Sequence, residues 1–353
     1  MKVIILQKLI PHYRIELFNH LARKYDLTVV TLIKPTFSEN IADFKIIHYG
    51  KSRIHYNISC IKVFFAYDKA VFIIGDDLRH IWLPVFRFFI NFFFKKPRAF
   101  IWWGTNEHLS FRYIYKLKNI LFLKHDLFVF YDYLTKHIFI SKHPEKSGRS
   151  IVANNTVFVQ SDDHIDQKNR NFTILNVGSL DERKDNITLI KEVHQLLIQG
   201  FSDIRLIFIG DGANKYELVS YVQDMKIDSN IIFLEKINDI KLLKRWYKIA
   251  NISVSLGQAG LSILQSFGFG RAYITTNTAI SGGEVNNIIH GYNGFLISNN
   301  LKFSSLIEML YEDRNLLNTI NYNAHEYYKQ FCTIENYSQS VSKAIDICSK
   351  EIQ

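Results

Sequence analysis

The sequence predicts an α/β protein of two doubly wound domains, each built on a parallel sheet with helices on both faces. Three observations carry that expectation. The apolar runs are continuous rather than alternating, as in Val3-Ile-Ile-Leu6, Ala99-Phe-Ile-Trp-Trp103 and Leu206-Ile-Phe-Ile209, and strands covered on both faces need that pattern. Segments with apolar residues at helical spacing separate these runs, so strand and helix alternate along the chain. With 353 residues, there is enough chain for two cores of ordinary size.

In order, Lys2–Gln7 is the first strand. Pro11 stands near a helix start, in the loop Ile10-Pro-His-Tyr-Arg14, and Ile15, Phe18 and Leu21 then share one helical face. Further strands are expected at Leu27–Ile33, Lys45–His48, Ala70–Ile74, Ala99–Trp103, Leu127–Tyr131 and His137–Ile140. The polar stretch Gln160–Asn171 reads as the passage out of a first domain of residues 1–155, within a linker of 156–171. The second domain, 172–330, opens with Phe172–Gly178, a strand ending in glycine, followed by a helix carrying Ile190, Val193 and Leu197. Ile204–Gly210 repeats that design with a Gly-Asp-Gly turn, and Asn230–Leu234, Ile252–Leu256, Tyr273–Thr276 and Asn293–Ile297 supply four more strands. Past Leu301 the chain is mainly helical, through Leu306–Leu317 and Val341–Cys348.

Composition narrows the function classes. A globular protein is implied by 48% hydrophobic and 22% charged residues. Cys60, Cys332 and Cys348 are odd in number and unrelated in spacing, which argues against a disulfide framework and a zinc site and fits a reducing cytosol. The apolar run at Met1–Gln7 is too brief for a signal peptide. A net charge of +10 points to anionic partners. Ile81–Phe94 is rich in aromatic residues and runs into Lys95-Lys-Pro-Arg98, but Pro84, Arg87 and Asn91 interrupt it, and a spanning helix wants ~20 mainly apolar residues. It is either a buried core helix or an interfacial one whose basic flank meets anionic lipid. Phe111–Lys124 repeats the cationic and aromatic mixture, which favours the membrane surface. Neither stretch matches a nucleic-acid-binding module, so no nucleic acid partner is expected.

Ile252–Thr276 organises the second half as strand, glycine-containing loop, helix and strand. Gly257 and Gly260 leave the backbone unobstructed before the helix. An anion beside Ala259–Ser262 would meet first-turn amides and the positive end of the helix dipole. Other strand ends carry Gly178, Arg183, Lys184, Gly210 and Gly212, and ligands of open parallel sheets bind beyond those ends, so a phosphate site is expected there.

Those same residues carry a family resemblance. Gly178-Ser-Leu-Asp-Glu-Arg-Lys184, Phe208-Ile-Gly-Asp-Gly212, Leu256–Gly270, Ile274-Thr-Thr276 and Glu284–Gly294 resemble, in order and spacing, the signatures of the family 4 retaining glycosyltransferases. The first half is similar more loosely, through the opening strand, Pro11-His-Tyr-Arg14 and Trp103-Gly104. The resemblance implies the GT-B fold: two facing Rossmann-like domains, the second holding a nucleotide-sugar and the first an acceptor, with a final helix, 331–353, returning to the first domain.

Carried over by position, Lys184 matches the lysine set against the donor diphosphate, while Ser179 stands where the family has arginine. Arg183 would supply the missing guanidinium, since a departing diphosphate needs its charge neutralised. The family's two glutamates are replaced by Gly257 and Gln265. Some bacterial surface-polysaccharide members look similar in this respect. Gln265 is either a ribose contact through its amide or a surface helix residue. Glu284 lies where that subgroup has an acid facing the donor sugar, and Lys236 and Ile237 fall in the loop that contacts the base. The donor set implied is therefore Gly178, Ser179, Arg183, Lys184, Gly210, Lys236, Ile237, Gly257, Gln258, Ala259, Gly260, Leu261, Ser262 and Gln265. His12, Tyr13, Arg14, Trp103, Gly104, Asn106 and His108 are expected on the acceptor side. His12, Arg183, Lys184 and Glu284 are the catalytic candidates, and no metal or other cofactor is expected beside the UDP- or GDP-sugar substrate.

The function implied is transfer of a sugar to a lipid-linked glycan acceptor in bacterial surface polysaccharide (O-antigen or capsule) assembly, by a cytoplasmic protein held peripherally at the anionic inner face of the membrane. A nucleotide-sugar epimerase on the same fold and a non-catalytic donor-binding scaffold are the alternatives. Product formed without acceptor would favour the first, and donor binding without turnover the second.

Overall fold

The computed structural model describes residues 1–35, 37, 41–48, 53–67, 69–75, 98–104, 121–159, 171–298 and 302–352. Two units divide it, Met1–Asn155 with Ile334–Gln353 and Thr156–Thr333.

The first unit contains β1 (Lys2–Gln7), α1 (Ile15–Ala22), β2 (Asp26–Thr31), β3 (Lys45–His48), α2 (Arg53–Ala66), β4 (Ala70–Gly75), β5 (Arg98–Trp103), β6 (Leu127–Phe130), α3 (Tyr133–Lys142) and β7 (Ser150–Val152). Its strands pair in the order β3-β2-β1-β4-β5-β6-β7, all parallel, with Val3 opposite Leu27 and Val71. Alternate residues of β1 feed two separate cores. Val3 and Ile5 pack with Leu17, Phe18 and Trp103, whereas Ile4 and Leu6 pack with Phe72, Phe100 and Phe128. Period-two alternation with both faces buried is what makes the run continuously apolar.

Two sequence expectations need correction here. His137–Ile140 is not a strand but lies inside α3. A short apolar run suits either element, and the cap decides: Asp132 accepts from the Thr135 backbone N–H at 2.8 Å and from its hydroxyl at 2.7 Å, which starts a helix. Arg98, expected on a lipid-facing basic flank, is only 2% exposed. Its Nε donates to the Phe64 and Tyr67 carbonyls at 3.0 and 3.1 Å, so the guanidinium closes the C-terminal end of α2. The remainder of that aromatic-basic stretch, 81–97, lies outside the described residues, as do 105–120 with Asn106 and His108, and the polar segment 160–170.

The second unit contains β8 (Phe172–Val177), α4 (Asn186–Ile198), β9 (Ile204–Ile209), α5 (Lys215–Asp224), β10 (Ile231–Leu234), α6 (Ile240–Ile249), β11 (Ile252–Val254), α7 (Leu261–Gly268), β12 (Tyr273–Thr276), β13 (Gly294–Ile297), α8 (Phe303–Glu312) and α9 (Arg314–Tyr327). Strand order is β10-β9-β8-β11-β12-β13, again parallel. The chain winds one way from β8 to β10 and the other from β11 to β13, so the topological switch falls between β8 and β11. Asn176 bridges it: the β8–β11 pairing ends at Leu175 opposite Ser253, and the Asn176 amide donates onward to the Val254 carbonyl at 2.8 Å. Arg271 repeats the device of Arg98, donating to the Tyr247 and Lys248 carbonyls at the end of α6, and burial holds its pKa down at about 10. Leu306–Leu317 is interrupted at Asp313, whose carboxylate accepts from the Leu316 N–H at 2.8 Å and starts α9.

The last helix, α10 (Ile334–Lys350), belongs to the first unit, as the GT-B expectation requires. Tyr337, Val341 and Ile345 enter the same core as Val3 and Phe18.

Candidate functional site

The loops that follow β8 and β11 flank the switch point of the second sheet, and they are bonded to one another. Gly257 N–H donates to the Lys184 carbonyl at 3.1 Å and Gln258 N–H to the Arg183 carbonyl at 2.6 Å. A Cβ on Gly257 would stand 2.2 Å from the Arg183 carbonyl oxygen, so only glycine permits the approach. Gly210 is under the same constraint, since an added Cβ would stand 1.8 Å from the Gly178 carbonyl oxygen.

Lys184 is buried in this junction, 7% exposed. Its Nζ donates to the Gln258 carbonyl at 2.7 Å, and its Cε lies 3.1 Å from where a Gly178 Cβ would be. No carboxylate pairs with it among the described residues. Burial pulls the Lys184 pKa down, the nearby Arg183 charge adds to that, and Asp181 opposes it. The Gln258 carbonyl also accepts from the Ser255 hydroxyl at 3.0 Å.

Arg183 is arranged differently. Its guanidinium is exposed and forks onto Asp181, with Nη2 to Oδ2 at 2.7 Å and Nε to Oδ1 at 3.2 Å. That partner, helped by the Ser179 hydroxyl, holds the Asp181 carboxyl down at about 2. Arg183 thus reaches a ligand only by sharing its donors with Asp181.

The turn into α7 leaves Gly260, Leu261 and Ser262 N–H without partners among the described residues, whereas the Ala259 N–H is engaged by the Ile280 carbonyl at 2.9 Å. The anion-facing amides therefore begin one residue later than the sequence suggests. The Ser262 hydroxyl meets the Tyr273 hydroxyl at 2.8 Å. Gln265 is half-buried, and its amide oxygen accepts from the Tyr247 hydroxyl at 3.3 Å, so it is held by α6 and is not a free surface residue. Glu284 is buried, and one carboxylate oxygen accepts from the Gly282 N–H at 2.9 Å and the Ser281 hydroxyl at 3.1 Å. That oxygen lies 4.0 Å from where a Gly260 Cβ would be, which puts Glu284 beside the α7 turn. Lys236 is exposed after β10, and Ile237 packs against the second core.

Ser255, Asp181 and Ser281 were not singled out by sequence. Ser281 had a readable signal, since Ser281-Gly-Gly-Glu284 has the spacing of a reciprocal capping box, and its hydroxyl accepts from the Gly283 and Val285 N–H groups.

In the first unit, the loop after β1 again sits at a switch point, between β1 and β4. His12 is exposed and Tyr13 half-buried. Arg14 is buried, donating to the Tyr337 hydroxyl at 2.6 Å, the Tyr131 hydroxyl at 3.2 Å and the Asn155 side-chain oxygen at 3.0 Å, 4.8 Å above the Trp103 ring. Burial works against its charge, but the surrounding tyrosines outweigh it and the pKa is raised. Trp103 and Gly104 are buried as well, and the Gly104 N–H donates to the Val129 carbonyl at 3.0 Å. Of the described acceptor-side residues, only His12 and part of Tyr13 offer side-chain surface to a ligand.

Two doubly wound parallel sheets, with unpartnered helix-start amides and a buried lysine at the switch point of the second, define the fold class as GT-B. Residues 160–327 match the family described as glycosyl transferases group 1, a stretch that reaches from before β8 to the end of α9. The second unit therefore carries a domain of that family. No protein of curated function matches the chain by sequence. Among solved structures, Anabaena HepE in complex with UDP is similar over 98% of this chain and 100% of that one, with 15% identity and a TM-score of 0.74. A glycosyltransferase from Rickettsia africae is similar over 99% and 98%, with 14% identity and a TM-score of 0.73. The lipopolysaccharide outer core galactosyltransferase WaaB is similar over 98% and 99%, with 14% identity and a TM-score of 0.67. At these identities the likeness establishes the fold.

Proposed function

We propose that the protein is a retaining glycosyltransferase that moves a sugar from a nucleotide-diphosphate sugar to a lipid-linked oligosaccharide during bacterial surface polysaccharide assembly. The observation that carries the reading is Lys184: a buried ammonium on the loop after β8, with no carboxylate partner among the described residues, bonded to the Gln258 carbonyl of the loop that leads into the α7 turn. Holding such a charge out of water is costly unless an anion arrives to meet it. A diphosphate between Lys184 and the Gly260–Ser262 amides has its developing charge neutralised by one cation and a helix terminus, without a metal. Glu284, beside the same turn, then faces the donor sugar, and Gln265 offers its amide N–H groups to the ribose while Tyr247 holds its oxygen.

UDP is the nucleotide we favour, because HepE was solved with UDP and with UDP-glucose. WaaB acts on the lipopolysaccharide outer core, which supports a lipid-linked acceptor and a place at the inner membrane surface. In this reading attachment there is peripheral; no helix among the described residues is long and apolar enough to cross a membrane.

A panel of UDP-, GDP- and dTDP-sugars tested by thermal shift checks the reading, since a ligand that binds only the folded state raises its midpoint. We expect the UDP-sugars alone to raise it, and transfer to a lipid-linked acceptor to follow with the same donor. A protein that answers to none of them is not this enzyme, and one that binds donor without transfer is a scaffold.

A further inference from the structure

Helix α3 presents an exposed face that packs against no other element among the described residues. Tyr133 is 63% exposed, Leu134 51% and Ile138 46%. With His137 and Ser141, also exposed, they form one stripe along the helix. The opposite side is anchored: Thr135 is buried against Asp132, and the Phe139 ring packs 4.8 Å from Phe128 and 5.0 Å from Phe130. The exposed stripe is therefore a fixed surface and not a frayed helix.

Cations rim that stripe. Lys136 is half-buried and Lys142 exposed, neither with an acidic partner among the described residues. In the following turn, Pro144–Arg149, Lys146 lies over the Phe128 ring. The single acid between Tyr133 and Arg149 is Glu145, which stands 3.8 Å from His143. An apolar stripe with a cationic border complements an anionic, partly apolar surface.

Size separates lipid from protein as the occupant. A 10-residue helix is about 15 Å long and about 10 Å wide, so the face covers roughly 150 Å². A stable protein interface buries roughly 800 Å² on each partner. A bilayer imposes no such threshold, because binding grows with each side chain inserted and each lysine near the headgroups. The location also fits. Tyr131, two residues before α3, holds Arg14 at the C-terminal edge of the first sheet, next to the exposed His12.

We propose that this face of α3 docks the protein on an anionic bilayer, with Tyr133, Leu134 and Ile138 among the headgroups and Lys136 and Lys142 beside lipid phosphates. The proposal deepens the reading above by naming the surface that brings the acceptor side to its lipid-linked substrate.

Flotation of the full chain with vesicles tests it, using equal parts phosphatidylglycerol and phosphatidylcholine against phosphatidylcholine alone. The wild type should float with the anionic vesicles, be released by high salt, and ignore the neutral ones. L134E/I138E should lower the bound fraction by roughly tenfold or more, and K136E/K142E by a similar factor on anionic vesicles only. Circular dichroism and the melting midpoint confirm that these surface variants fold. Wild-type binding in L134E/I138E would overturn the proposal, as would a wild type that ignores anionic vesicles. A wild-type dimer that the variant turns into a monomer, without vesicle binding, would overturn it in favour of self-association. The UDP-induced melting shift, measured on the same samples, keeps the two readings apart: vesicle binding without a UDP shift sinks the donor assignment and leaves the docking face standing.

Discussion

Replacing Lys184 with methionine separates what this side chain does for the fold from what it does for a ligand. Methionine keeps an unbranched apolar stem against Gly178, and the Gln258 carbonyl that loses the ammonium keeps the Ser255 hydroxyl at 3.0 Å, so no buried acceptor is orphaned. The lost hydrogen bond contributes about 1 kcal/mol, and the same substitution removes a charge that burial already disfavours. The two effects oppose, and we expect the melting midpoint without ligand to move by less than about 3 °C. Toward a diphosphate the balance is one-sided. A unit charge about 4 Å from a phosphate oxygen contributes about 4 kcal/mol at an effective dielectric of about 20. Allowing for screening, about 3 to 4 kcal/mol of transition-state stabilisation should vanish, which is a fall in kcat/KM of roughly 100- to 1000-fold. Thermal melts with and without UDP, together with steady-state turnover, measure both sides. A UDP-induced shift as large as in the wild type would refute the reasoning, and so would a collapse of the ligand-free fold.

Other expectations follow from the same geometry. Gly257→Ala drives a Cβ to 2.2 Å from the Arg183 carbonyl oxygen, so the two loops must part; denaturant titration should show a loss of about 2 to 4 kcal/mol, with the UDP shift abolished. Asp185 has a left-handed backbone, φ 52°, and its side chain makes no capping hydrogen bond, so Asp185→Gly should raise stability by about 0.5 to 1 kcal/mol; a decrease would reveal a role for the carboxylate. His325 on α9 is buried, and burial, reinforced by Lys329, lowers its pKa below 6.5. The unfolded chain then takes up this proton first as pH falls, so stability is complete above the ordinary histidine range and is lost as pH drops toward the depressed value. His325→Asn should flatten that part of the stability-against-pH curve, as read by denaturant titrations at a series of pH values.

Much of the fold was legible because β1, β5, β8 and β9 carry near-continuous apolar runs, which a doubly covered parallel strand demands and few other settings do. His137–Ile140 was misread because a four-residue apolar run has no period of its own, and the Asp132–Thr135 cap that decides the matter is a local polar event outside the run. The place of Lys184 at the C-terminal edge of the second sheet was readable from its position after a glycine-ended strand. The restraint of Arg183 by Asp181 was not, since two residues of spacing predict a contact only once the turn is known. Arg98 was misjudged because a cation in a sequence reads as surface, and only packing reveals the helix-end carbonyls around it; the tyrosine hydroxyls around Arg14 are likewise contacts that packing alone shows.

A crystal structure of the protein with UDP tests the central claim most directly. The account predicts the β-phosphate within hydrogen-bond reach of Lys184 Nζ and of the Gly260–Ser262 amides. A nucleotide whose phosphates lie elsewhere, with Lys184 still committed to the Gln258 carbonyl, would contradict it.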